Sequence, residues 1–153
     1  MTDQDLVALA RRLEPLVEVR PPASEAQVAS TERTLGFRLP DGLRGFLSQS
    51  NGASIAVKLD SGQLISGASP LIWSLNEILA ENSAVSASGA GRARVLYFAN
   101  AGADGILFGH PLGPTGVVLD EVVAWHPIEG RLPYVAPSFR AFLDGWLRGS
   151  LSI

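Results

Sequence analysis

A short segment with two internal glycines places the strongest constraint on how this chain can fold. The segment spans residues 34–52 and reads TLGFRLPDGLRGFLSQSNG. Its apolar side chains recur at helical spacing, but Gly42 and Gly45 each cost about 1 kcal/mol relative to alanine inside a helix. Propensity alone therefore cannot hold this helix, and its apolar face must pack against other parts of the fold. The residues of that face are Leu43, Phe46 and Leu47.

The two ends of this helix carry residues with special backbone preferences. Pro40 and Asp41 suit a first helical turn. Asn51-Gly52 suits the end of the helix, because both residues tolerate a positive φ. We expect the helix to lie against a β-sheet, where the glycines on its flank allow the backbones to approach closely.

Two further helices are predicted before this segment, from apolar spacing and from capping residues. The first covers about residues 3–17 and stops before Pro21-Pro22. The second covers about residues 25–35 and ends at Gly36. Each begins with a capping box, Thr2 with Asp5 and Ser24 with Gln27.

Strands are predicted in the middle of the chain. Alternation over residues 54–60 predicts a strand with one covered face and one solvent face. A tight turn at 60–62 leads into a short strand at 63–66. The run 95–99 is apolar on both faces, which predicts a central strand, and 105–109 is expected to pair with it. The covered face of the first strand would hold Ile55, Val57 and Leu59, and its solvent face Ser54, Ala56 and Lys58.

The remaining elements follow from caps and spacing. Ser74 begins a short helix that reaches Asn82, and the glycine-rich stretch 83–94 is expected to be a mobile loop. Residues 116–126 form either two short strands or one bent strand around Asp120-Glu121. The last helix begins at Pro137-Ser138 and has a continuous apolar face. That face consists of Phe139, Phe142, Leu143, Trp146 and Leu147.

This order of elements predicts one α+β domain over residues 1–153. N-terminal helices precede a central, largely antiparallel or mixed twisted sheet, and the C-terminal helix packs on that sheet. With 153 residues, the chain is long enough for a single core.

Composition excludes several classes of function. A formal net charge of -3 argues against direct nucleic-acid binding. Zero cysteines exclude disulfides and thiolate chemistry. No apolar run reaches the roughly 18 residues that a membrane span needs, and the N-terminus is unlike a secretory signal. We therefore expect a cytoplasmic protein without a membrane interaction.

Several short motifs, in their order and spacing, resemble the SUKH superfamily, which includes the Smi/Knr family and many bacterial immunity proteins. The N-terminal motif is similar to Glu32, Leu35-Gly36, Leu39-Pro40, Phe46-Leu47 and Asn51-Gly52 in this chain. The C-terminal motif is similar to YFANAGADGILFG and VAPSFRAFLDGWL. The resemblance covers about residues 24–148 and implies structural roles for Gly36, Pro40, Phe46, Asn51, Gly52, Phe139 and Phe142.

The resemblance implies a binding function without catalysis or a cofactor. Bacterial members are commonly encoded beside secreted polymorphic toxins and protect the producing cell by occupying the toxin. A regulatory or scaffold module that binds another protein partner is an alternative, as is a small hydrolase. The chain is expected to be a monomer or a weak homodimer, and an exposed apolar strand edge would favour the homodimer.

Five residues are candidates for contact with the partner: Trp73, Asp104, Asp120, Glu121 and Trp125. Tryptophan is enriched at binding hot spots, and carboxylates would complement a basic toxin. Each candidate also has a purely structural interpretation. The tryptophans could pack in the core, Asp104 could be a turn residue, and the acidic pair could be a solvated strand end.

The two histidines, His110 and His126, show no metal-binding spacing, so no metal site is predicted. Serines are plentiful, but the nucleophile-elbow motif of α/β-hydrolases is absent. Lys58, the only lysine, is placed on the solvent face of its strand. These observations give the hydrolase alternative little support.

Overall fold

The computed structural model describes residues 6–88, 94–102 and 104–153. The helices and strands follow in the order α1 (Leu6–Leu13), β1 (Val17–Val19), α2 (Glu25–Leu35), α3 (Asp41–Gln49), β2 (Ala53–Lys58), β3 (Leu64–Ile72), α4 (Leu75–Ser88), β4 (Val95–Asn100), β5 (Leu107–Pro111), β6 (Val122–Trp125), β7 (Tyr134–Ala136) and α5 (Phe139–Arg148).

The strands form two antiparallel sheets. One has the order β1-β2-β3 and the other β4-β5-β6-β7. The N–H of Trp73 donates to the carbonyl of Phe98 at 2.9 Å, which joins the end of β3 to β4. The predicted α+β class with a largely antiparallel sheet is confirmed.

A single core joins the helices to the sheets through aromatic side chains. The ring of Phe46 in α3 lies 5.8 Å from the ring of Phe139 in α5. Phe98 of β4 lies 5.3 Å from both Phe139 and Phe142. All four rings are buried in one cluster. The predicted docking of the last helix by its aromatic face is therefore confirmed.

The glycine-bearing helix α3 packs mainly on other helices. Its principal neighbours are α1, α2 and α5, so the expectation that it lies directly against a sheet is wrong. A Cβ atom built on Gly42 would lie 3.1 Å from the Cβ of Phe139. The close approach that this glycine permits is therefore to α5, because Phe139 fills the space between α3 and β4.

The capping residues Ser24, Gly36 and Ser138 act as predicted. The backbone N–H of Gln27 donates to Ser24 Oγ at 3.1 Å, and the backbone N–H of Ser24 donates to Gln27 Oε1 at 2.8 Å. Gly36 ends α2 at a φ of 87°, and Ser138 caps α5 by accepting from the N–H of Ala141 at 3.1 Å. The capping box expected at Thr2 and Asp5 lies outside the described residues.

Two helix boundaries differ from the prediction. The first helix ends at Leu13 rather than near residue 17, because Pro15 follows directly and residues 17–19 form β1. α4 continues to Ser88, so the prediction of a loop over 83–94 is wrong for residues 83–88. Alanine, which recurs in this stretch, is the best helix former. Residues 89–93 lie outside the described ranges.

The predicted faces of β2 are wrong for Ser54, Ala56, Val57 and Leu59. Ala53, Ser54 and Ala56 are buried, whereas Val57 is 43% exposed and Leu59 is 42% exposed. Val57 and Leu59 point away from the core, whereas Ile55 of the same predicted group packs against it. Small residues fill the covered side, where the backbone lies close to its neighbours.

β4 is buried on both sides, as predicted, but it is the first strand of its sheet rather than a central one. The side chain of Asn82 in α4 takes the place of a neighbouring strand. Its Oδ1 accepts from the N–H of Tyr97 at 2.9 Å, and its Nδ2 donates to the carbonyl of Tyr97 at 2.8 Å. These two bonds satisfy the backbone N–H and C=O of Tyr97, which the absence of a neighbouring strand would leave unpaired.

The later strands resolve the alternatives left open by the sequence. β5 pairs with β4, as predicted, but begins at Leu107 rather than at residue 105. In the stretch 116–126, only β6 is a strand. Val118 makes an isolated bridge with Leu112, so this stretch is neither a hairpin nor one bent strand.

Candidate functional site

The five predicted contact residues do not form one cluster. Trp73 is only 4% exposed and packs in the core, so its ring is not available to a partner. Asp104 precedes β5, and Trp125 ends β6. Asp120 and Glu121 precede β6, at its opposite end. The four-residue length of β6 separates the two groups by roughly 13 Å.

At one end of the second sheet, Asp104 and Trp125 lie in different environments. Asp104 is exposed and adopts a φ of 57°, as expected for a turn residue. Trp125 is half-buried and pairs with Leu107 in the ladder. The most exposed large apolar side chain of this end is Ile128, at 79%.

At the other end, Asp120 lines a cleft between the α2–α3 connector and the loop before β6. The cleft has a volume of about 320 Å³. Arg38 and Asp41 line it on the connector side, and Val117 lines it on the loop side. Within the described part of the chain, Arg38, Asp41 and Asp120 take part in none of the ion pairs. Val117 is 62% exposed, so this rim, which we call the cleft rim, combines apolar surface with free charges.

Sequence reasoning found Asp120 but missed the rest of the cleft rim. Asp41 was assigned only to a helix start, and Val117 only to a strand. The available signal was the presence of glycines and a proline around residues 113–116, which is typical of a loop rather than a strand. An apolar residue on such a loop is expected to be exposed.

A buried histidine fixes the backbone beside the cleft rim. Nδ1 of His110 lies 3.0 Å from the carbonyl oxygen of Glu121. Since a carbonyl can only accept, Nδ1 carries the proton in this bond. Burial lowers the pKa of His110 to about 4, although the bond to Glu121 and the charge of Asp120 oppose this shift. His110 is therefore neutral near pH 7 and acts as an internal support for the start of β6.

The histidines give no geometric support for hydrolase or metal chemistry. Nδ1 of His126 lies 3.9 Å from Glu129 Oε1, beyond hydrogen-bond distance. Nε2 of both His110 and His126 is buried without a hydrogen-bond partner among the described residues. Over the same ranges, no three metal-ligating side chains cluster.

A second surface that the sequence did not reveal is the hairpin of β2 and β3. Its outer part, residues 57–65, carries four large apolar side chains in solvent, and we call it the arm. Their exposed fractions are 43% for Val57, 42% for Leu59, 53% for Leu64 and 39% for Ile65. The predicted turn at 60–62 closes the arm, with Gly62 at a φ of 88°.

The base of the arm is held by a carboxylate from β1. β3 bulges at residues 66–68, because Ile55 pairs with Ser69 and Val57 pairs with Ile65. The carboxylate of Glu18 accepts hydrogen bonds from Ser66 Oγ and, at 2.7 Å, from the N–H of Gly67. These two bonds lower the pKa of Glu18. The bulge is therefore pinned across β2 at the point where the arm leaves the sheet.

Asn51 and Gly52 connect three elements rather than ending a helix, since α3 already stops at Gln49. Asn51 Oδ1 accepts from the N–H of Leu75 at 2.9 Å and so caps the first turn of α4. Gly52 has a φ of 90°, and a Cβ built on it would lie 2.8 Å from the backbone nitrogen of Ser74. Only glycine fits this position.

Neighbouring side chains tie the same junction to the end of β1. The buried Ser50 Oγ accepts from the N–H of Arg20 at 2.9 Å and donates to the carbonyl of Gly52 at 2.6 Å. Arg20 Nη1 lies 3.2 Å from Glu77 Oε1. Burial by itself would raise the pKa of Glu77, but hydrogen bonds from Ser74 and Arg20 outweigh it, and the pKa is lowered.

Glu32 holds the connector between α2 and α3. Its Oε2 accepts from the N–H of Leu39 at 2.8 Å and lies 3.6 Å from Arg44 Nε. Gly36 turns the chain and Pro40 is buried at the start of α3. The residues of the N-terminal motif thus hold other parts of the same chain in position.

A comparison of the sequence with known protein families identifies the family of this chain. The family model of the SMI1/KNR4 family (SUKH-1) matches residues 22–145. The chain belongs to this family. The match confirms the resemblance that the motifs suggested over about residues 24–148. No curated protein matches the chain as a relative.

In this SMI1/KNR4-family chain, the residues of the N-terminal motif form an internal framework, and other residues form the exposed surfaces. The motif residues Glu32, Gly36, Asn51 and Gly52 bind or position other parts of the same chain, as described above. The exposed apolar side chains of the arm and the cleft rim lie outside those motif positions. Each described helix is too short or too polar to traverse a bilayer.

Proposed function

We propose that this SMI1/KNR4-family chain is a non-enzymatic, cytoplasmic immunity protein that neutralises a cognate polymorphic toxin by covering its surface. Family membership supports a protein-interaction role of the immunity type. The observation that carries the proposal is the cleft rim, where the exposed Val117 adjoins the free carboxylates of Asp41 and Asp120.

The cleft rim has the properties expected of a surface that meets a basic protein. Apolar contact at its centre would supply affinity, and two carboxylates would select positive charge on the partner. Arg38 would donate hydrogen bonds to an acidic or carbonyl group of the partner and thus fix its orientation. The net charge of -3 would accelerate association with a basic toxin at low salt.

A growth assay tests this proposal. The toxin encoded beside this chain is expressed in a sensitive host, alone and together with the wild-type chain. We expect growth to be restored by the wild type. We expect Asp120→Lys to weaken toxin binding by about tenfold or more, since it places a positive charge against a basic surface.

Glu81→Lys provides the matched control, because Glu81 is an exposed carboxylate on α4, outside the cleft rim. It makes the same change of two charge units and is expected to leave protection intact. Equal losses in the two variants would refute the cleft rim as the binding surface. Failure of the wild type to protect against any secreted protein of its locus would refute the immunity role.

A further inference from the structure

The arm projects from the first sheet as a two-stranded ribbon. β1 pairs only with residues Ala53 to Ile55 of β2. The last main-chain bond on that side joins the N–H of Ala56 to the carbonyl of Leu16, at 2.9 Å. Beyond Ala56, no other described strand pairs with the arm. A two-stranded ribbon alone is at best marginally stable in water, and this one leaves its apolar side chains uncovered.

One face of the arm is apolar and carries no charged residue. Val57 pairs with Ile65, and Lys58 pairs with Leu64. Paired residues share a face and successive residues alternate. Val57, Leu59 and Ile65 therefore share one face with the uncharged Gln63, and Lys58 and Leu64 project from the other. We call the first of these the apolar face.

The edge of β3 is unsuited to the addition of a further strand. Residues 66–68 bulge out of the ladder, and Pro70 lacks a backbone N–H. Bulges and prolines on an edge strand oppose edge-to-edge pairing. Residues 66–70 of β3 are therefore expected to resist the addition of a strand, whereas the apolar face of the arm stays open to a partner.

We propose that the apolar face of the arm binds the same face of a second copy of this chain, forming a two-fold homodimer. A two-fold interface brings the same patch of each copy together. Two copies of a chain with net charge -3 repel each other in general. At the apolar face, no charged side chain of one copy faces a charged side chain of the other. Each arm contains one lysine, Lys58, and one aspartate, Asp60, so the arm as a whole is formally neutral.

The dimer is weak. Its contact uses three apolar residues from each copy, each about two-fifths exposed in the monomer. A standard interface uses roughly 20–30 residues on each side. We therefore expect a dissociation constant of about 0.1–1 mM, so the protein is a monomer when dilute and a dimer only when concentrated.

Sedimentation equilibrium over a concentration series up to about 1 mM tests the proposal. We expect the apparent mass to rise above the 16.1 kDa of the monomer. Leu59→Asp places two carboxylates at the interface and should raise the dissociation constant at least about tenfold. Leu59→Lys should do the same. An equimolar mixture of these two variants should dimerise again, since opposite charges then face each other.

Two controls make the result decisive. Ile128→Asp changes an even more exposed apolar residue outside the arm and should leave dimerisation unchanged. Far-UV circular dichroism establishes that each variant is folded. A wild-type chain that stays monomeric at about 1 mM would overturn the proposal. So would a Leu59→Asp variant that dimerises like the wild type, or a mixture that does not recover.

The dimer and the toxin complex use different surfaces, so their tests separate. Leu59→Asp should lose dimerisation and keep protection in the growth assay. Asp120→Lys should keep dimerisation and lose protection. Loss of both properties in either variant would contradict the assignment of two independent surfaces.

Discussion

Acidification is expected to destabilise this protein specifically through His110. The imidazole is buried, its Nδ1–H donates to the Glu121 carbonyl, and its ring lies 5.1 Å from the ring of Phe98. Protonation of Nε2 would place a positive charge in this apolar surrounding, where Nε2 has no hydrogen-bond partner among the described residues. The folded state therefore resists protonation, and the unfolded state does not.

The sign and size of the effect follow from the pKa of His110, which is lowered from 6.5 to about 4. Between these two values the unfolded state binds more protons than the folded state, so stability falls as the pH falls. The contribution of neutral His110 is complete above about pH 6.5 and is lost below about pH 4. The difference between the two pKa values corresponds to about 3 kcal/mol.

Urea unfolding at pH 7, 5.5 and 4 measures this loss, with His110→Asn as the matched variant. The asparagine side chain can still donate a hydrogen bond to the Glu121 carbonyl, but it does not titrate. The variant loses ring packing and is less stable at pH 7. Carboxylates and His126 are retained in both proteins, so the difference between the two proteins isolates His110 together with its interaction with Asp120.

The decisive quantity is the stability of the wild type minus that of the variant. It should shrink by about 3 kcal/mol between pH 7 and pH 4. A difference that stays constant with pH would refute the buried, neutral state of His110. Direct titration of the His110 ring by NMR should give the same answer, and a midpoint near 6.5 would contradict the reasoning independently.

Three further perturbations test the framework. Gly52→Ala should destabilise the fold by about 3 kcal/mol, because its φ is 90° and a Cβ would meet backbone at 2.8 Å. Gly62→Ala, with a φ of 88° and nothing within 4 Å, should cost only about 1 kcal/mol, and equal losses in urea unfolding would contradict the close-approach argument. Asn82→Ala should cost about 3 kcal/mol, since the buried N–H and C=O of Tyr97 both lose their partner; a loss below about 1 kcal/mol would show that water replaces it. Glu18→Ala removes both acceptors and should accelerate hydrogen exchange at the Gly67 amide with little change in global stability, and unchanged protection there would disprove the hold of Glu18 on the base of the arm.

Local signals in the sequence were sufficient for most helix ends. Ser24, Gly36 and Ser138 each act within one turn of the chain, through bonds to backbone groups three or four residues away. Such interactions depend little on the rest of the fold, so they could be predicted from residue type and spacing. The end of α1 was missed because the leucine pattern was followed past Pro15, although proline disfavours a helix interior.

Burial was harder to predict, since it depends on what lies opposite. The alternation in β2 correctly groups Val57 with Leu59, but the sequence contains no local indication that the hairpin leaves the sheet at Ala56. Likewise, the apolar character of β4 predicts burial on both sides. It does not reveal that the Asn82 side chain, rather than a strand, covers one edge of that strand.

The candidate site was only partly predictable, for a related reason. Asp120 stood out because two carboxylates are adjacent in the sequence, whereas Asp41 stood out only as a helix-start residue. Their common cleft depends on how the α2–α3 connector meets the loop before β6, a contact between segments about 80 residues apart. Neither residue type nor spacing carries that information.

The division between framework and surface explains why the motifs identify a family but not a partner. Glu32, Asn51 and Gly52 make their hydrogen bonds or close contacts within the chain, so changing them would damage the fold whatever the partner is. The Asp120 side chain makes no ion pair among the described residues and Val117 is largely exposed, so a substitution at either position would cost little stability. New partners can therefore be accommodated by changing the cleft rim while the framework stays the same. His110 connects the two levels, because its bond to Glu121 fixes the backbone next to Asp120. The proposed toxin contact thus depends on a buried group that never touches the toxin.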